Sequence, residues 1–175
     1  MNPFIYPVSQ APRTAVLVPW FRSPWSVPFL THQSVRVFPE GWGVEAARHE
    51  PAAIAGTGEQ LRALMPWRIP SLTHAVIVLA RPRGRRLSDL DRDRLWRAFH
   101  VPVFEQVVGK AGELLAFECE AHDGLHVESP RLPLKGEIVC TEPCACGRET
   151  PRIGVEVEQA HGLSSFPGGE FDALR

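Results

Sequence analysis

The sequence lacks any long apolar segment and any strong excess of one charge. Its longest uninterrupted apolar run, Ala75 to Ala80, is far too short to cross a bilayer. Residues 1–7 have neither the basic region nor the apolar core of a secretory signal. The formal net charge of -1 gives no overall field that would attract nucleic acid or a membrane surface. We therefore expect a soluble, cytoplasmic protein without a membrane partner.

Cysteine is also scarce, and all four cysteines lie between positions 119 and 146. In a cytosolic chain, such clustering indicates a metal site more than a disulfide framework. The 17 prolines and 14 glycines predict many turns and short elements, which argues against a helical bundle. A chain of 175 residues can still bury a core without disulfides.

The middle of the chain predicts a pair of parallel strands. Residues 74–79 and 103–107 are strongly apolar and are typical of buried strands. Between them, Ser88 begins an N-cap and capping box, and Leu95, Trp96 and Phe99 are predicted to lie on one face of the following helix. Strand, helix and strand at this spacing predict a βαβ unit with a right-handed crossover.

The first seventy residues are less regular. Short strands are predicted at residues 15–18 and 35–38, and a weak helix at about residues 51–64, which glycines interrupt. The tryptophans are expected to fill the core because large aromatics supply much buried area, although they could instead form a binding surface. The four tryptophans of this segment are Trp20, Trp25, Trp42 and Trp67.

From residue 114 onward, short strands alternate with turns, including strands at 114–118 and 136–140. We predict an α/β (or α+β) fold: a small, partly parallel sheet with a central βαβ unit and a zinc-pinned, turn-rich lobe. Residues 1–155 would form a single domain, with the lobe at about 114–153. Residues 156–175 would form a C-terminal tail with little periodicity.

The metal prediction starts from Cys144-Ala145-Cys146-Gly147, which can present two thiolates from one tight turn. Cys119 and His126 lie on a strand and on the turn after it, and they can supply the other two ligands. We predict that Cys119, His126, Cys144 and Cys146 bind zinc. Three thiolates and one imidazole close the tetrahedron, so the ion would be structural.

Two further residues remain alternatives to one of these ligands. Cys140 ends an apolar strand, where a free cysteine commonly behaves as a small buried hydrophobe. His122 precedes the turn at Asp123-Gly124 and can be a solvated side chain. Because ligand spacing alone does not fix geometry, either residue can replace a member of the set, and four reduced thiols without a metal are the remaining alternative.

Two segments resemble the phenylacetate–CoA ligase family of adenylate-forming enzymes. Residues 118–126, ECEAHDGLH, resemble the family's ECxAxDGLH segment, and residues 143–153, PCACGRETPRI, are similar to its PCxCGRTxPRI segment. Residues 86–105 and the GEIV strand at 136–139 extend the similarity to roughly residues 74–153. The family's cysteine, histidine and Cys-x-Cys pair are associated with bound zinc, which implies the same four ligands here.

The departures from that family imply a loss of catalysis. Where the family has Tyr-Gly-x-Ser/Thr-Glu, residues 108–113 read VGKAGE, without the adenine-stacking aromatic and with the magnesium-binding acid displaced. The Arg-x-Arg-Thr-Gly-Asp segment expected between Val139 and Cys144 is missing, as is a C-terminal domain with the adenylation lysine. Carboxylate activation requires these groups, so we expect no catalytic residues and no nucleotide or CoA cofactor.

The leading hypothesis is a catalytically degenerate structural or regulatory subunit. Apolar surface that faced the missing parts of the ligase fold must be covered, which favours a protein partner or a homodimer. A first alternative is a split or reduced acyl-CoA ligase that a partner chain completes. A second is a zinc-dependent nucleic-acid-binding module using Arg83, Arg85 and Arg86, against which the near-neutral net charge argues.

Overall fold

A computed structural model describes residues 12–18, 35–110, 112–129 and 139–154. Within these residues, nine strands form one mixed sheet in the order β2-β1-β3-β4-β5-β6-β7-β9-β8. The strands are β1 (Thr14–Val16), β2 (Val35–Val37), β3 (Ala53–Gly56), β4 (Ala75–Ala80), β5 (Val103–Val108), β6 (Leu114–Glu118), β7 (Leu125–Val127), β8 (Val139–Cys140) and β9 (Arg152–Ile153). The helices are α1 (Val44–Arg48), α2 (Gly58–Leu64) and α3 (Asp89–Phe99).

The strands β1 to β5 form the parallel half of the sheet. All six residues of β4 are buried, as expected for a central strand covered on both faces. The side chain of Ser88 accepts a hydrogen bond from the Asp91 N–H and caps α3, which connects β4 to β5. The predicted α/β class, with a partly parallel sheet and a central βαβ unit, is confirmed.

The predicted helix over residues 51–64 is wrong in its first half. Residues 53–56 form β3, and all four are buried between β1 and β4. A strand buried on both faces shows no alternation of polar and apolar residues, so its pattern resembles that of a buried helix. The helix α2 begins only after Thr57, which forms a reciprocal capping box with Gln60.

The strands β5, β6, β7, β9 and β8 continue the sheet in antiparallel pairs. Leu61 of α2 and Leu95 of α3 pack on the same face of the parallel half as Ile54 and Val76. The predicted strand at 136–140 is described only as β8, because residues 136–138 lie outside the described residues. The tail at 156–175 lies outside them as well.

The three tryptophans in the described residues differ from one another. Trp96 of α3 is 53% exposed while Leu95 and Phe99 are buried, so its predicted place on the same helix face as those two residues is wrong. Trp42 is partly buried and packs against the core beside α2. Trp67 follows α2 and is 61% exposed, so the expectation that it fills the core is wrong. Trp20 and Trp25 lie outside the described residues. None of the described helices is long and apolar enough to cross a membrane.

Candidate metal centre

The structure brings Cys119, His126, Cys144 and Cys146 together at the end of the antiparallel half. One ligand atom from each lies within 4.8 Å of all the others. The Cys119 and Cys144 sulfurs are 3.6 Å apart, and the Cys146 sulfur is 3.4 Å from His126 Nε2. A tetrahedral zinc ion with bonds of about 2.3 Å to sulfur would separate its sulfur ligands by about 3.8 Å. The group could therefore hold a metal ion.

Local structure explains how these four residues meet. Cys119 directly follows β6, and His126 lies in β7, opposite Phe117 in the antiparallel register. The other two cysteines lie on a tight turn that the Gly147 N–H closes by donating to the Cys144 carbonyl at 2.8 Å. Gly147 has φ +81°, which side chains rarely adopt. The turn thus requires glycine directly after the Cys-x-Cys pair.

The His126 ring is held in an orientation that suits a ligand. It is fully buried and stacks on Phe117 with ring centroids 5.3 Å apart. Its Nδ1 lies 2.8 Å from the Thr150 hydroxyl oxygen. When Nδ1–H donates to that oxygen, the lone pair of Nε2 faces the sulfurs, the arrangement that orients metal-ligating histidines.

Arg148 completes the surroundings of the centre. Its guanidinium lies over the Phe117 ring at 5.3 Å and 3.5 Å from a Glu120 carboxylate oxygen. Sequence reasoning did not identify Thr150, Phe117 or Arg148 as neighbours of the centre. Their roles depend on the β6–β7 pairing and on the fold of the 144–150 loop, which no local spacing reveals.

Three of the candidate ligands have shifted pKa values in the metal-free chain. Burial raises the pKa of Cys119 to about 12. Burial also raises the pKa of Cys146, but hydrogen bonds from the backbone and side chain of Arg148 outweigh it and lower that pKa to about 7. Burial lowers the pKa of His126, which favours the neutral imidazole that a metal requires.

Alkylation should reveal this difference between the thiols. In protein treated with a chelator, we expect iodoacetamide at pH 7 to modify Cys146 faster than Cys119, because Cys146 is more exposed and carries more thiolate. Added zinc should protect both residues. Peptide mass spectrometry measures the two rates, with circular dichroism to verify that the chelated chain stays folded. Equal rates in the folded, chelated chain would contradict the proposed ordering.

The two alternative ligands lie outside this group. Cys140 ends β8 and accepts a contact from the Arg152 guanidinium at 3.4 Å. The Nδ1 atom of His122 lies 2.8 Å from a Glu118 carboxylate oxygen, and its ring stacks on Phe104. The described residues contain one group of three or more His, Cys, Asp or Glu side chains that could hold a metal, and neither alternative belongs to it.

A second polar cluster lies beside the centre, around a cavity of about 440 Å³ between α3 and the sheet. Glu105 and Glu118 are both almost fully buried there. Glu105 accepts from Arg86 Nε at 2.9 Å, and Glu118 accepts from the Arg92 guanidinium at 3.0 Å. The sequence signal for this cluster is a glutamate within each of two apolar strands, which indicates a buried carboxylate with a cationic partner.

The basic loop before α3 contributes to this network. Arg85 pairs with Asp91 at 3.2 Å, and Arg86 pairs with Glu105. Two of the three arginines considered for nucleic-acid binding are therefore engaged in ion pairs within the chain. Arg83 is exposed.

Glu105 gives a test of pH dependence. Burial raises its pKa above the ordinary value of 4.5, although the Arg86 charge opposes the shift. The folded state therefore favours the protonated carboxyl. Ionising Glu105 lowers the free energy of unfolding, and this loss disappears as pH falls through the raised pKa towards 4.5. We expect Glu105→Gln to differ from the wild type by less than about 1 kcal/mol at pH 4. The wild type should become less stable relative to the variant as pH rises to 8.

Urea unfolding of both proteins between pH 4 and pH 8 measures this difference. All other titrating groups are the same in the two proteins, so their contributions to the free energy of unfolding cancel. A stability difference that does not change with pH, or that changes in the opposite direction, would contradict the assignment.

Comparisons with known proteins add information on the fold. No protein-family model matches the chain, and no curated protein matches it. Among solved structures, the chain is similar to a 2-hydroxyisobutyryl-CoA ligase in an open conformation, in complex with 2-HIB-AMP and CoA, with a TM-score of 0.58 and 14% identity. The match covers 84% of this chain and 45% of that chain. At this identity the likeness shows the fold alone: the chain has the fold of part of an acyl-CoA ligase and spans less than half of that enzyme's length.

Proposed function

We propose that this chain is a zinc-binding, catalytically degenerate relative of the phenylacetate–CoA ligases that acts as a structural or regulatory subunit. The observation that carries the proposal is the convergence of three thiols and one imidazole within 4.8 Å of one another. Thiolate and imidazole ligands in a tetrahedron favour zinc over magnesium, calcium or manganese. Four protein ligands fill the tetrahedron, so the ion would support the fold rather than activate water.

The packing around the centre gives the ion a structural purpose. Phe117, Cys119 and Cys144 form a small buried cluster at the ligands, separate from the cluster in which Leu115, Ala116, Leu125 and Ile153 pack with residues of β4 and β5. The cluster at the ligands buries little apolar surface, so it supplies little hydrophobic stabilisation at that end of the lobe. A zinc ion would link β6, β7 and the 144–150 loop and supply the missing stabilisation.

The β5–β6 turn supports the loss of nucleotide chemistry. The Gly109 N–H donates to the Glu113 carbonyl at 2.8 Å, and a side chain at Gly109 would collide with the Glu113 carboxylate. Glu113, the displaced acid of the turn, thus packs against its own hairpin. The aromatic that stacks on adenine in the related ligases is replaced by Val108, which is 2% exposed.

Native mass spectrometry of the protein purified from its own source tests the proposal. We expect a mass increment of one zinc ion and a bound second protein or second copy. A metal-free monomer would refute both the zinc centre and the subunit role.

A split acyl-CoA ligase is the second candidate, because the chain spans only 45% of the ligase that it resembles. This candidate requires that the chain, alone or with its partner, bind ATP or an acyl-adenylate analogue. Calorimetric titration of both preparations measures this, and no heat of binding in either would exclude the candidate.

A further inference from the structure

Two apolar depressions lie side by side on the surface next to α1 and α2. They have volumes of about 360 and 270 Å³, and Trp42 and Trp67 line both of them. Val44, Ile69 and Pro70 extend the first depression, and Leu17, Ala63 and Leu64 extend the second. We call this surface the tryptophan groove. It consists of two shallow apolar sites that share the aromatic side chains of Trp42 and Trp67.

The groove is built on ordered backbone and on the core. Trp42 packs against the buried cluster beneath α2, which fixes one wall. The Trp67 N–H donates to the Leu64 carbonyl at 2.8 Å, and the Leu72 N–H donates to the Ile69 carbonyl at 3.1 Å. Trp67 is nevertheless 61% exposed and Val44 is 68% exposed. Large apolar side chains held rigidly at the surface are typical of interaction sites.

The polar groups of the groove indicate the chemistry of an occupant. Neither the Trp42 nor the Trp67 indole N–H donates to an acceptor within the described part of the chain. Arg68 is the one charged residue that lines either depression, and it makes no ion pair with the residues that the structure describes. The groove therefore has two indole donors and one positive charge without partners among the described residues. A complementary ligand would carry hydrogen-bond acceptors and an acidic group.

A polyproline II segment meets these requirements. Its carbonyl oxygens have no internal hydrogen bonds and are free to accept from indole N–H groups. Its proline rings are apolar and dock in grooves lined by aromatic side chains, and its stiff backbone loses little entropy on binding. A helix would instead need one continuous apolar trough for its side chains.

We propose that the tryptophan groove binds an extended, proline-rich segment of a partner protein that carries an acidic residue opposite Arg68. This inference rests on the subunit role proposed above and names the chemistry of the partner. It does not depend on the metal centre, because none of the four cluster residues lines the groove.

Fluorescence anisotropy of dye-labelled peptides with the full chain tests the proposal. The probe is acetyl-Pro-Pro-Glu-Pro-Pro-Glu-Pro-Pro, and its counterpart has lysine in place of each glutamate. We expect saturable binding of the glutamate peptide and weaker binding of the lysine peptide. Trp67→Ala should weaken binding at least about tenfold, and Trp67→Phe, which keeps the ring but loses the donor, about fivefold. Arg68→Glu should reverse the preference between the two peptides.

Trp96→Ala is the matched control, because Trp96 is 53% exposed on α3 and lines neither depression. It should leave peptide binding unchanged. No saturable binding by the wild type, or equal binding by Trp67→Ala, would overturn the proposal. A dimer in analytical ultracentrifugation that Trp67→Ala dissociates would also overturn it, since the occupant would then be a second copy.

The outcome separates this proposal from the subunit role. A chain that carries zinc and a bound partner in native mass spectrometry, yet binds neither peptide, refutes the groove assignment alone. A metal-free monomer that binds the glutamate peptide with the predicted response to Trp67→Ala refutes the zinc subunit alone.

Discussion

Replacement of Cys144 by serine is expected to release the metal ion and to loosen the lobe after residue 114. A serine hydroxyl does not replace a thiolate as a zinc ligand, so the tetrahedron would lose one of its four corners. Because the apolar cluster around the ligands is small, the free energy of metal binding contributes directly to the folding of this part of the lobe. We expect a loss of more than about 4 kcal/mol in the free energy of unfolding.

Two measurements together test this expectation. Elemental analysis should show one zinc per wild-type chain and almost none in Cys144→Ser. Hydrogen exchange should accelerate in β6 and β7 while β3 and β4 keep their protection. Cys140→Ser is the matched control, because Cys140 lies outside the four-residue group, and it should keep its zinc. One zinc retained in Cys144→Ser would refute the centre, and zinc lost from Cys140→Ser would make Cys140 a ligand.

Replacement of Glu118 by alanine should produce the second large effect. The Glu118 carboxylate accepts from Arg92 and, at 2.8 Å, from the N–H of Glu105, and its side chain is 4% exposed. Removing it leaves the largely buried Arg92 guanidinium without its counter-ion, with the Val103 carbonyl still accepting at 2.6 Å, and leaves the buried Glu105 N–H without its acceptor. Breaking a buried ion pair in this way typically costs about 3–5 kcal/mol, and we expect a loss of that size.

Urea unfolding measures this loss, and two further variants serve as references for its size. Glu118→Gln keeps an acceptor of the same shape without the charge and should lose less. Glu45→Ala removes a carboxylate from exposed pairs with Arg36 and Arg48 and should change stability by less than about 0.5 kcal/mol. Metal content should stay at one zinc in all three. Equal stability of Glu118→Ala and Glu45→Ala would show that the buried cluster does not stabilise the fold.

The sequence predicts the middle of the fold best. The central strands β4 and β5 and the capped helix α3 have strong local signals, since apolar runs and an N-cap are each sufficient to identify an element. The strand β3 has no such signal, because Ala-Ile-Ala-Gly has weak propensity and becomes a strand by lying between β1 and β4. Tertiary pairing, rather than local preference, decides that segment.

The candidate site shows a similar division. The Cys-x-Cys-Gly turn is visible in the sequence because its two thiols and its glycine are adjacent. The meeting of Cys119 with Cys144 depends on how the chain returns through β9 to pair with β7. The cluster of Glu105 and Glu118 has a local signal, since both glutamates lie within apolar strands, but their pairing with arginines of α3 and of the loop before it depends on tertiary structure.

The arrangement of strands also has a consequence for the order of folding. Thr14 of β1 pairs with Ala53 of β3, a separation of 39 residues (53 − 14), whereas Phe117 of β6 pairs with His126 of β7, a separation of 9 (126 − 117). Local antiparallel pairing closes short loops and forms quickly, while parallel pairing must wait for long loops to close. The β6–β7 hairpin carries His126 and leads into Cys119, so two of the four candidate ligands can meet before the parallel half has assembled. A metal ion at this group would then join the chain while it folds rather than after folding is complete.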